Sequence, residues 1–126
     1  MTDNLDEKLS QWREVYKSDE EIYSDLPDED EVRELLVFFS DEMKRHIQSM
    51  ERAIRTKDWR LLDLHVHQLK GAGSSFGYTM VTDLAGEVER LLRQEELQEA
   101  KIYQAADVLV NVCKCIRPQS RAEVRE

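Results

Sequence analysis

Residues 58–77 read DWRLLDLHVHQLKGAGSSFG. Trp59, Leu62, Val66, Leu69, Ala72 and Phe76 recur in steps of three and four, the spacing that gathers apolar side chains on one face of an α-helix. Asp58 stands where an N-cap accepts a backbone N–H, and Gly77 where a chain leaves a helix. An amphipathic helix of this kind buries its stripe only against other elements, so its neighbours decide the fold.

Those neighbours carry the same period. Upstream, Val32, Leu35, Leu36, Phe39, Met43, Ile47, Met50 and Ile54 predict a long helix that begins after Pro27 and ends near Lys57. Downstream, Val81, Leu84, Ala85, Val88, Leu91 and Leu92 predict a third helix. Ile102, Ala106, Leu109, Val110, Cys113 and Ile116 predict a fourth, with Pro118 closing it within two residues. Only four glycines and two prolines punctuate 126 residues, and three of the glycines fall between 71 and 77. The expected fold is all-α: an antiparallel, up-and-down four-helix bundle joined by short connections. Leu5, Leu9, Trp12 and Tyr16 add a short N-terminal helix before a loop around Ser24 to Pro27. The chain divides into an acidic N-terminal arm over 1–27, the bundle over 28–117 and a polar, fraying tail over 118–126.

Charge follows that division. The formal net charge is −9, with 27 acids against 18 Lys and Arg. Residues 1–31 hold 12 acids and three basic residues, so residues 32–126 are balanced. Nucleic-acid binding is disfavoured, because it draws on clustered Lys and Arg. No apolar run reaches the ~20 residues of a membrane span, and the N-terminus is unlike a signal peptide, so a cytoplasmic protein is expected. Cys113 and Cys115 sit two apart and read as reduced thiols.

The second helix carries two histidines that cannot point the same way. Advancing about 100° per residue from His67, the stripe of Leu62, Leu69, Ala72, Gly73 and Phe76 lies at roughly 140° to 240°. His65 falls inside it, as a hydrogen-bonded core histidine, and His67 faces solvent. Arg60, Asp63, Leu64, Lys70, Gly71 and Ser74 share the His67 face within about 60°. Lys70 is one turn on. Gly71 is a mid-helix glycine, which costs about 1 kcal/mol relative to alanine, and its bare backbone leaves room for an approaching group. His46 reads as structural or solvated, and Trp59 as a packing anchor.

These residues carry a resemblance. His67-Gln68-Leu69-Lys70-Gly71, followed by Ala72-Gly73-Ser74-Ser75-Phe76-Gly77, resembles the HxxKGxxxxxG signature of histidine-containing phosphotransfer (HPt) domains. The stretch from about Asp30 to Ile116 fits that family's length and helix order. The resemblance implies that His67 is a phosphoacceptor, that Lys70 neutralises phosphoryl charge and that Gly71 gives a partner clearance. It also implies that Glu89, 22 residues on, orients the imidazole. On the helical wheel Glu89 and Arg93 flank the seam toward the second helix.

Imidazole, with an ordinary pKa of about 6.5, offers a neutral nucleophilic nitrogen at cytoplasmic pH. The sequence holds no Walker motif or kinase-type glycine loop. The expectation is therefore a phosphoryl carrier that binds no cofactor, with Mg²⁺ supplied by a receiver domain. The implied partners are response-regulator receiver domains and a sensor or hybrid histidine kinase, with Arg60, Asp63, Leu64, Ser74 and Arg93 around the docking site. Gly77 and Trp59 are read as structural. An alternative is a helical adaptor that binds a receiver without transferring phosphate. A metal site from His65, His67 and the cysteines is disfavoured, since residues two apart on a helix diverge. For the N-terminal segment, a helix laid on the bundle competes with an arm whose carboxylates approach the cations near His67.

Overall fold

A computed structural model describes residues 5–18 and 20–124. Its elements in order are α1 (Leu5–Lys17), β1 (Ile22–Ser24), α2 (Asp30–Thr56), α3 (Trp59–Ser75), α4 (Thr79–Leu92), α5 (Glu99–Lys114), β2 (Ile116–Ser120) and α6 (Arg121–Val124). Helices α2 to α5 form the expected bundle: α2 packs on α3 and α5, and α4 packs on the same two. The predicted stripes are its core, with Phe39, Met43, Met50, Leu62, Val66, Leu69, Leu84, Val88 and Leu109 all buried. Leu35 departs from the expectation. It lies at the edge of the α2 stripe and is 48% exposed.

The two turns that flank α3 fix its position. Lys57 closes α2 in the left-handed region at φ 54°. Asp58 follows at once, and its side chain accepts the Leu61 N–H at 3.1 Å as the N-cap of α3. At the other end Gly77 has φ +84°, and the Tyr78 N–H reaches back to the Gly73 carbonyl at 2.8 Å. A Cβ on Gly77 would lie 2.2 Å from Ser24 Oγ and 2.8 Å from the Asp25 nitrogen, so this turn demands glycine twice over.

The ends of the chain differ most from expectation. The segment from Gln119 does not fray within the described residues. Ile116–Ser120 is a strand, paired in parallel with Ile22–Ser24, and Ser24 and Ser120 are both buried. Helix α5 therefore stops at Lys114, and Pro118 lies inside β2 rather than closing a helix. Strand β1 also grips the α3–α4 turn. Ser24 Oγ donates to the Phe76 carbonyl at 2.6 Å and the Asp25 N–H to the Gly77 carbonyl at 2.9 Å, while the Tyr78 hydroxyl donates to the Arg117 carbonyl at 2.6 Å. Arg117–Glu21 and Arg121–Asp25 ion pairs run along the outside of this clasp.

Helix α1 is the short extra helix expected upstream. It packs on α5 through the buried Leu5 and Leu9. On α4, Lys8 pairs with Glu87 at 2.7 Å. Glu87 lies about 200° round α4 from Glu89, so α1 is laid on the opposite side of that helix from the Glu89 face.

Candidate functional site

Helix α3 is exposed along the face opposite its core stripe, and His67 stands midway along it with a side chain 67% exposed. Helix α4 supplies Glu89 from the flank of its own stripe, where the carboxylate is almost wholly covered. Three cationic or potentially cationic groups converge on it. His67 Nδ1 lies 2.8 Å from Oε2, Lys70 Nζ donates to Oε1 at 2.9 Å, and Arg93 Nη2 is 3.6 Å from Oε2. The hydrogen bond from Lys70, and next that from His67, hold the Glu89 carboxyl below the usual carboxylate range.

That state settles the tautomer. An ionised carboxylate only accepts, so the hydrogen between the two side chains is His67 Nδ1–H. In the neutral ring the lone pair is then on Nε2, directed away from Glu89, and available as a nucleophile. Arg93 in turn reaches Asp63, with Nε to Oδ1 at 3.4 Å and Nη2 to Oδ2 at 3.3 Å. Asp63, His67 and Lys70 on α3 and Glu89 and Arg93 on α4 thus form one network across the helix seam.

The other expected residues lie along the same face of α3. Leu64 is 51% exposed one turn before His67. Arg60 is exposed and has no ion-pair partner among the described residues. A Cβ at Gly71 would meet nothing within 4 Å, so the protein itself does not require glycine there. A Cβ at Gly86 would reach only Lys70 Cε, at 3.9 Å, so α4 offers a shallow bed for the lysine stem. Trp59 packs edge-on against Tyr103 of α5, as an anchor for the start of α3.

His65 turns the other way. Its Nδ1 is 2.9 Å from Nδ1 of His46 across the α2–α3 interface, and both rings are half-buried. His46 therefore has a partner that its own helix could not reveal. Among the described residues no group of three or more His, Cys, Asp or Glu side chains could hold a metal. Burial pushes both imidazoles below the ordinary histidine pKa, and His65 lowers His46 further, against the attraction of Glu42 and alongside Arg45. The unfolded chain therefore takes up these protons first. The contribution of the pair is complete above about pH 6.5 and is lost as pH falls below it. Thermal midpoints are expected to fall between pH 7.5 and 5.5, and the fall to shrink in a His46→Gln, His65→Gln double variant. An equal fall in both proteins would remove this account.

A family model described as Hpt domain matches residues 34–114. The chain belongs to the Hpt domain family. The matched span covers most of the bundle, from the first turns of α2 to the last residue of α5, and contains the whole His67 network. Membership implies histidine phosphotransfer in two-component phosphorelays. No curated protein and no solved structure matches the chain. Two features of this Hpt domain lie outside the expected site. One is Phe38, 58% exposed on α2 with Leu35 near it. The other is Thr82 of α4, which bonds to the backbone of α3. Phe38 had a readable signal, a large aromatic just outside the α2 stripe, whereas Thr82 depends on how the two helices are set against each other.

Proposed function

We propose that this chain is a phosphoryl carrier in which His67 accepts a phosphoryl group from a receiver-domain aspartate and passes it to another receiver. The observation that carries this is the 2.8 Å contact of His67 Nδ1 with a carboxylate, on a side chain that is mostly exposed to solvent. Nε2 attacks phosphorus, an N–P bond forms, the acyl phosphate P–O bond breaks and the aspartate leaves as carboxylate. The phosphorylated ring keeps its Nδ1 proton and becomes cationic, and Glu89 stabilises that charge as the orienting carboxylate does in a Ser-His-Asp site. Lys70 offsets the charge of the phosphoryl oxygens. In the return step a receiver aspartate attacks and neutral imidazole leaves. Mg²⁺ and the acidic phosphorylation pocket belong to the receiver.

Docking uses the α2–α3 face. Leu64 on α3 and Leu35 and Phe38 on α2 supply exposed apolar area, while Arg60, Lys70 and Arg93 meet the receiver's acidic pocket. Asp63 and Ser74 lie along the rim. A sensor or hybrid kinase is the source of the phosphoryl group upstream. Incubation with a phosphorylated receiver tests the assignment: label that is stable in base, labile in acid and borne by a histidine is expected. A binding adaptor would form the complex and carry no label.

Gly71 separates docking from folding. With open space for a Cβ, Gly71→Ala should stabilise the helix by about 1 kcal/mol. The added methyl in the contact with the receiver should slow transfer by roughly tenfold, the cost of a modest overpacking. A higher melting temperature with an unchanged transfer rate would remove the clearance role.

A further inference from the structure

Thr82, on α4, bonds to both halves of a backbone pair in α3. Its Oγ1 accepts the Ser74 N–H at 2.7 Å and donates to the Lys70 carbonyl at 3.0 Å. Ser74 N–H and Lys70 C=O are the two groups that an α-helix joins directly as i to i−4. A hydroxyl seated on both of them bears on the pitch of that turn, as side chains inserted into a helix ladder do. The turn runs from Lys70 through Gly71 to Ser74, one helical turn on from His67.

The fit of the two helices is built round this hydroxyl. A Cβ on Gly73 would stand 2.6 Å from Thr82 Oγ1, 2.8 Å from the Thr82 nitrogen and 3.0 Å from the Tyr78 carbonyl oxygen. Glycine at 73 is what admits the Thr82 hydroxyl to the α3 backbone. Lys70 is consequently fastened to α4 at both ends, by its carbonyl to Thr82 and by its ammonium to Glu89 at 2.9 Å. The two attachments lie seven residues apart on α4, two helical turns, so they fix both where Lys70 sits and how α3 is rotated against α4. The rotation is what brings His67 Nδ1 to Glu89 Oε2.

We infer that Thr82 is a positioning residue for phosphotransfer, its hydroxyl holding the Lys70–Ser74 turn, and with it His67 one turn before, in register with Glu89. The inference rests on the carrier function proposed above. Thr82→Val keeps the shape and removes the hydroxyl, leaving Ser74 N–H and Lys70 C=O free to bond to each other, and Thr82→Ser restores the hydroxyl. Two readouts apply: the ring-nitrogen shifts of His67 by ¹⁵N NMR in the unphosphorylated protein, and the rate of transfer from a phosphorylated receiver. Thr82→Val should move the His67 Nδ1 resonance away from its carboxylate-bonded position and slow transfer by about tenfold, within the range for small misplacements of reacting groups. Thr82→Ser should resemble the wild type in both. Wild-type nitrogen shifts in Thr82→Val, even with a lower melting temperature, would overturn the inference, and so would an equal disturbance in Thr82→Ser. Failure of the wild type to accept phosphate would overturn the carrier function instead, and the nitrogen shifts would still decide Thr82.

Discussion

A His67→Gln variant is expected to take up no acid-labile phosphate from a phosphorylated receiver while folding like the wild type. The side chain is 67% exposed and contributes nothing to the core, so its replacement should change stability by no more than ~0.5 kcal/mol. Glutamine can still donate an N–H toward Glu89 but has no nucleophilic nitrogen, and loss of the attacking atom removes the covalent step altogether. The two other histidines offer no substitute. His46 and His65 are half-buried and occupy each other's Nδ1, on the opposite flank of α3 from Glu89 and Lys70. Labelling and circular dichroism melting on the same preparation check both halves of the statement. Retained label on the variant would move the acceptor elsewhere.

Leu9→Ala is expected to destabilise the protein by about 3 kcal/mol, the middle of the range for a buried leucine. Leu9 is fully buried between α1 and the bundle although it lies in the most acidic part of the chain. For a domain of this size the loss amounts to a fall in melting temperature of roughly 10 °C. A detached acidic arm would tolerate the change without effect, so thermal denaturation distinguishes the two. Phosphotransfer at low temperature should survive in the variant, because the Lys8–Glu87 pair sets α1 on the side of α4 away from the Glu89 face. Among the described residues, the carboxylates of α1 are thus poorly placed to compete for the cations around His67.

What the sequence made legible were the features encoded by local period and punctuation. The stripes of α2 to α5 need only a spacing of three and four, and Asp58 and Gly77 act within a turn of where they stand. His67, Lys70 and Gly71 were readable because they lie on the wrong face of an otherwise regular helix. Glu89 was readable only through the family resemblance, which places a carboxylate or amide 22 residues after the histidine, and its position on the flank of α4 permitted that reading. What was hidden depends on how separate elements meet. The IYS and IRPQS segments are too short and too irregular to announce strands, and each becomes one only against the other. The meeting of His46 with His65, and of Thr82 with the α3 backbone, follows from interhelical register, which no single-helix wheel contains.

The clasp at the chain ends sets an order of assembly. Its Arg117–Glu21 pair joins residues 96 apart in the chain, whereas His67 and Glu89 are 22 apart. Closing the longer loop carries the larger entropic cost, and contacts near in sequence form first. The hairpin of α3 and α4 that holds the phosphotransfer residues is therefore expected to form early in folding, and the strap, like the packing of α1 on α5, to close late.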